Sequence, residues 1–172
     1  VTLAEGSQNT LRNTDEYVAI DDNNIDAVIF TKSDLTLNGT GSLTIVSAEG
    51  HGIVSKEDLK VTGGTYDITA AGHALSGKDS VRIADGTFIL TAEKDGIHAE
   101  NADDEEKGYI YIADGDFTIT SDGDGMDASN IVQIEDGTLD ITAGGGAANS
   151  LKTHESDVPG GGMLQNGEKP DG

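Results

Sequence analysis

The chain has no cysteine, only two prolines, and 10 basic against 32 acidic residues among its 172. The missing cysteines exclude disulfide staples, thiolate metal sites and thiol nucleophiles, but leave the compartment open. With a net charge of −22, the surface repels phosphate backbones and anionic membranes, so nucleic acid is not an expected partner. Self-repulsion of this size opposes a compact state unless it is offset, and divalent cations held between carboxylates are one means of offsetting it. No apolar run is long enough to span a bilayer, and membrane insertion is not expected. Val1-Thr2-Leu3 reads like the middle of a strand, which suggests a chain cut from a longer precursor. The length suits one domain with a continuous core.

Glycine is abundant, with 24 residues, and it recurs at a spacing that signals a repeat rather than disorder. The glycines of successive x-Gly-[Thr/Asp/Ser]-apolar units are Gly41, Gly64, Gly86, Gly115 and Gly137, at steps of 23, 22, 29 and 22 residues, so one step carries an insertion. Rungs of about 22 residues suit three short strands joined by tight turns. Around each glycine the side chains alternate. The apolar sets Leu59, Val61, Tyr66, Ile68; Val81, Ile83, Phe88, Leu90; Ile110, Ile112, Phe117, Ile119; and Val132, Ile134, Leu139, Ile141 should point inward. Lys60, Arg82, Tyr111 and Gln133 fall on the opposite side of the pleat, as do Thr69, Thr91, Thr120 and Thr142. Each column then becomes a ladder with steps of about 4.8 Å.

A third short strand opens each rung, with Ile53, Leu75, Ile97 or Met126 as its inward residue. A weaker rung covers Ala27 to Val46, and Val1 to Leu11 reads as the remnant of another. The periodicity fails after Thr142. We therefore expect an all-β solenoid domain over residues 1–146, truncated at its N-terminal end, and a Gly-rich flexible tail over 147–172. Open solenoid ends are prone to end-to-end self-association.

Stacking the rungs also superposes their turns. One column holds His51, His73, Asp95 and Asp124; Glu93 and Asp122 fall two places earlier, and His98 and Asp127 share a column inside the next strand. Like charges on neighbouring strands are destabilising unless bridged, and Ca²⁺ takes six to eight oxygen ligands. Asp95, Asp122, Asp124 and Asp127 are thus candidate calcium ligands. Asp103 and Asp104, in the acidic insertion that ends at Glu105-Glu106-Lys107, are further candidates. The run Asp-Gly-Asp-Gly-Met-Asp at 122 to 127 lacks the twelfth-position Glu of an EF-hand and the nonapeptide repetition of RTX sites. His51 and His73, one rung apart, read as two neutral stacked imidazoles in preference to a metal pair. Lys60, Arg82, Tyr111 and Gln133 offer cations, an aromatic platform and an amide in one row, a candidate ligand-binding face. No serine sits in a nucleophile elbow.

The quoted residues carry a resemblance. Asp-Leu-Lys-Val-Thr-Gly-Gly-Thr-Tyr-Asp-Ile-Thr-Ala at 58 to 70, Lys-Asp-Gly-Ile-His-Ala-Glu-Asn at 94 to 101 and Gly-Asp-Gly-Met-Asp-Ala at 123 to 128 resemble the carbohydrate-binding β-helix family of clostridial cell-surface proteins, whose fold is similar to that of pectate lyases. The resemblance covers most of Val1 to Ser150. It implies a right-handed parallel β-helix, bound calcium with Asp95, Asn101, Asp124 and Asp127 at the matching positions, and binding of plant-cell-wall polysaccharide, acidic pectic chains included, at an extracellular bacterial surface. The insertion at 103 to 106 departs from an uninterrupted repeat. The expected function is a non-catalytic, calcium-stabilised polysaccharide-binding module. The alternatives are a calcium-dependent polysaccharide lyase, which needs a base beside its metal, and a structural spacer or adhesin. Arg12 and Arg82 are the two arginines, and neither falls in the column next to Asp95 and Asp124.

Overall fold

The structure is a computed structural model, and residues 1–14 and 25–144 are described here. The chain forms a stack of parallel strands. A partial first rung holds β1 (Thr2–Leu3) and β2 (Gln8–Asn13). Next come β3 (Ala27–Thr31), β4 (Leu35–Gly39) and β5 (Ser42–Ser47); β6 (His51–Ser55), β7 (Asp58–Val61) and β8 (Thr65–Ala70); and β9 (Leu75–Gly77), β10 (Ser80–Ile83) and β11 (Thr87–Ala92). The last two rungs are β12 (Ile97–Ala99), β13 (Tyr109–Ile112) and β14 (Asp116–Ser121), then β15 (Met126–Ala128), β16 (Val132–Ile134) and β17 (Thr138–Ala143). Every pairing is parallel and joins a strand to its counterpart one rung away. Three sheets result: β3-β6-β9-β12-β15, β1-β4-β7-β10-β13-β16 and β2-β5-β8-β11-β14-β17. This is a parallel β-helix with three strands per rung, and among the described residues no helix is long and apolar enough to cross a membrane.

The register follows the glycine spacing. Phe88 pairs with Tyr66 on one side and Phe117 on the other, and Leu139 continues the column. The rings stack with centroids 5.1 Å apart for Tyr66–Phe88 and 4.7 Å for Phe88–Phe117. The alternation in β8, β11 and β14 buries one face of each strand along its whole length. The bend glycines serve two purposes at once. Gly115 has φ +131°, which disfavours any L side chain, and a Cβ there would lie 2.9 Å from the carbonyl oxygen of Gly86 in the rung next to it.

The ends of the stack differ from the expectation. Val132, Ile134 and Ile141 occupy inward columns yet are 40–44% exposed, because no described rung follows theirs. Leu11 is likewise exposed, although it pairs with Ile45 in the column. The tail expected over 147–172, and the last residues of the 1–146 domain, lie outside the described residues.

Candidate functional site

The turn leading into the first sheet carries a cluster of titratable groups. Each rung's turn is bonded to the next: the Gly52 amide donates to the His73 carbonyl at 3.0 Å, Ala74 to Asp95 at 3.2 Å and Gly96 to Asp124 at 3.0 Å. The side chains of the column repeat the pattern. The amide of His73 donates to His51 Nδ1 at 2.8 Å, that of Asp95 to His73 Nδ1 at 3.2 Å, and that of Asp124 to Asp95 Oδ1 at 2.8 Å. Each side chain thus caps the backbone of its neighbour one rung on, where an isolated turn aspartate would cap its own.

The expected His51–His73 stack is present, with centroids 4.8 Å apart and planes within 1°. A third ring extends it. His98, in β12, stacks on His73 at 4.1 Å. His98 pairs in register with Asp127 and Ser76, and its Nδ1 lies 3.1 Å from Asp127 Oδ2 and 3.4 Å from Asp95 Oδ2. Asp95 Oδ2 is also 3.0 Å from His73 Nδ1, while His51 Nε2 faces Asp26 Oδ2 at 3.5 Å and His98 Nε2 faces Glu100 Oε2 at 3.6 Å. Burial, and then the neighbouring imidazoles of His98 and His51, push the His73 pKa down to about 3 against the pull of Asp95. Burial also lowers that of His51, opposed by Asp26. Both rings are therefore neutral near pH 7. A groove of about 250 Å³ opens beside them, with Lys56, Lys78 and Glu100 on its walls.

The seven candidate calcium ligands fall in three groups. Asp95 and Asp124 belong to the column of His51 and His73, and Asp127 joins them through His98, its partner in the next strand. Asp122 instead lines a groove of about 240 Å³ along Thr69, Thr91 and Thr120, together with Glu93. Asn101, Asp103 and Asp104 form a third group around Asp79, a residue that the reading of the sequence missed. Asn101 Nδ2 donates to Asp79 Oδ1 at 2.7 Å, and Lys107 Nζ donates to Asp79 Oδ2 at 2.8 Å. The Lys107 hydrogen bond holds the Asp79 carboxyl below the usual carboxylate range, with desolvation opposing it. Asn101 Oδ1 accepts the amides of Asp103 and Asp104, each at 3.0 Å, and Asp103 Oδ2 pairs with Lys78 Nζ at 3.0 Å. The insertion is closed by its own hydrogen bonds. The Asn101 oxygen already accepts two amides, and the Asp95 carboxylate accepts the Asp124 amide through Oδ1 while Oδ2 faces two imidazoles.

The four residues expected in one row do line up on the second sheet. Lys60 pairs with Arg82, Arg82 with Tyr111 and Tyr111 with Gln133. Lys60, Arg82 and Tyr111 share a shallow groove of about 190 Å³ floored by Val61 and Ile83. Arg82 is held by Asp58, with Nη2 2.7 Å from Oδ2. Glu135 receives the Gln133 amide at 3.2 Å, and its hydrogen bond to the Tyr111 hydroxyl raises the phenol's pKa. The guanidinium is therefore braced before any ligand arrives.

Comparison with known proteins accords with this architecture. A curated relative from Acetivibrio thermocellus, a carbohydrate-binding domain-containing protein, is 38% identical over 66 residues, which is 37% of this chain and 23% of the relative. The gadolinium derivative of a polysaccharide lyase-like protein from C. thermocellum superposes with a TM-score of 0.73 at 30% identity, covering 80% of this chain and 66% of the other. The chain thus spans under a quarter of that curated relative and just under two thirds of the solved structure. Residues 1–167 match the family described as carbohydrate-binding domain-containing protein, and the chain belongs to that family.

Proposed function

We propose that the chain is a non-catalytic module that binds polysaccharide along the row Lys60, Arg82, Tyr111 and Gln133. The observation that supports this most is the register, which places a free ammonium, a braced guanidinium, a phenol and an amide on four consecutive rungs. The row spans three strand spacings, about 14 Å, so a linear glycan lying across the strands meets one group per rung. Among the described residues Lys60 has no carboxylate partner, which suits an acidic sugar on an otherwise acidic surface. Plant-cell-wall glycans, pectic chains included, met at an extracellular bacterial surface, are the proposed ligands and setting. Calcium enters the proposal as the counter-ion of a chain with net charge −22 and as a bridge between surface carboxylates, Glu93 and Asp122 foremost, and uronates.

The test is binding of the whole chain to a glycan array, with and without chelator, for wild type and the double variant Arg82→Ala/Tyr111→Ala. Loss of at least tenfold in affinity supports the row, and unchanged affinity overturns it. A lyase reading draws on Lys56 and Lys78, which line the histidine groove. Lys78, however, is engaged by Asp103, and Lys56 lies over the Phe30 ring at 5.6 Å. Release of unsaturated uronate products from pectic substrates would establish that reading instead.

A further inference from the structure

Among the described residues, His73, Asp95 and His98 are brought together so that one ligand atom of each lies within 4.8 Å of the others. Asp127 adds a fourth, through the 3.1 Å approach of its Oδ2 to His98 Nδ1. Around a tetrahedral ion with ligands at about 2.0–2.1 Å, neighbouring donor atoms are roughly 3.3 Å apart. The three close separations here are 3.0, 3.4 and 3.1 Å.

The hydrogen bonding of His73 is frustrated, and a cation on Nδ1 removes the clash with the carboxylate while displacing the Asp95 amide from that lone pair. Its Nδ1 receives the Asp95 amide at 3.2 Å and faces Asp95 Oδ2 at 3.0 Å. With a lone pair on Nδ1, the carboxylate is repelled; with a hydrogen there, two N–H groups confront each other. His51 makes the equivalent amide contact at 2.8 Å without a carboxylate at that nitrogen. A similar conflict surrounds His98 Nδ1, which faces carboxylate oxygens of Asp95 and Asp127 but can carry one hydrogen. We propose that His73 Nδ1, His98 Nδ1, Asp95 Oδ2 and Asp127 Oδ2 bind one divalent transition metal ion of the Zn²⁺ class. Two imidazoles and two carboxylates are a borderline donor set that favours such an ion over calcium, which prefers oxygen alone. The His73 and His98 rings are within 8° of parallel, so one ring tilts about its χ2 as the ion enters. The ligands come from three consecutive rungs, so the ion ties the rungs together. The site is on the first sheet and stands whether or not the row on the second sheet holds glycan.

The test titrates metal-stripped whole chain with Zn²⁺, and with Co²⁺ for its visible d–d absorption. One tight site per chain, a tetrahedral Co²⁺ spectrum and retention of Zn²⁺ against equimolar Ca²⁺ are expected. His98→Ala should weaken Zn²⁺ at least ~100-fold, since even outer-shell losses cost 10–100-fold. Asp127→Asn, a milder change on a half-exposed residue, should weaken it by about tenfold or more. Metal-free melting curves check that both variants are folded, and His51→Gln and His154→Gln, the latter at the fourth histidine, outside the described residues, serve as controls. Zn²⁺ affinity unchanged in both site variants, loss confined to His154→Gln, or displacement of Zn²⁺ by equimolar Ca²⁺ would each overturn the proposal.

Discussion

The amide of Asp124 donates to Oδ1 of Asp95 across 2.8 Å, so two acidic residues one rung apart are joined through backbone and carboxylate rather than set against each other. The other Asp95 oxygen faces His73 and His98. Removing the carboxylate differs from neutralising it. Asp95→Ala leaves the Asp124 amide without this acceptor and should cost about 1–3 kcal/mol. Asp95→Asn keeps a carbonyl for that amide, turns an N–H₂ toward the imidazoles and relieves their repulsion, so metal-free stability should stay within ~1 kcal/mol of wild type. Urea denaturation of both variants in chelator measures this. Equal losses would show that the amide contact is not what Asp95 contributes.

The aromatic column predicts a gradient along the stack. Phe88 is 1% exposed and sandwiched between Tyr66 and Phe117, so Phe88→Ala should cost about 3–5 kcal/mol through lost transfer energy and a cavity that parallel strands cannot close. Leu139 is in the same column but only partly buried at the end. Leu139→Ala should cost less than the ~2 kcal/mol at the low end for buried leucines. Thermal melts of the two variants test the ordering, and a larger loss at Leu139 would mean that the last rung is covered.

How far the sequence discloses all this depends on which rule each residue obeys. Arg82 between Lys60 and Tyr111, and Phe88 between Tyr66 and Phe117, follow from period and pleat alone, because parallel register carries each residue to its counterpart one rung on. The pairing of Asp79 with Asn101, 22 residues apart, follows the same period, but Asp79 stands outside the acidic run that marks Asp103 and Asp104. The pairing of His98 with Asp127 was legible in the same way, but its contact with His73 was not. Register sets it opposite Ser76, while its ring leans back onto His73 in the adjoining turn, a direction that strand alternation does not encode. Asp122 shows the converse: two residues from Asp124 in sequence, it faces the threonine groove. Exposure at Ile134 and Ile141 arises because no described rung covers theirs, which an inward column does not itself encode.

Tyr66 predicts an alkaline effect. Burial raises its phenol to about 12, and the hydroxyl donates to the Gly63 carbonyl at 2.9 Å. The folded state holds this proton more tightly than the unfolded chain. Its contribution is therefore complete below pH 10 and is lost as pH rises from 10 through 12. The gap corresponds to roughly 2–3 kcal/mol. Tyr66→Phe loses a hydrogen bond worth about 0.5–1.5 kcal/mol but should lack this component of the alkaline decline. Denaturation at pH 9 and pH 11.5 compares the two proteins, and identical declines would refute the assignment.

Asn101 offers a direct contrast between bracing a loop and holding an ion. Its side chain joins Asp79 to the amides of Asp103 and Asp104, and its own amide donates to Ser129 Oγ at 3.1 Å. Asn101→Ala should therefore cost about 2–3 kcal/mol, the desolvation penalty of groups left unpaired, and expose the segment 102–107 to proteolysis. Asn101→Asp is the sharper variant. It keeps an acceptor for both amides but sets a second carboxylate against Asp79, so in chelator it should lose about 1–3 kcal/mol near pH 7. That loss should shrink as pH falls and one of the paired carboxyls takes up a proton. If Asn101 ligated calcium instead, the added charge would make Asn101→Asp more stable than wild type in millimolar calcium. Melting both proteins with calcium and with chelator separates these outcomes, because a brace predicts a deficit in each buffer and a ligand predicts a reversal in one.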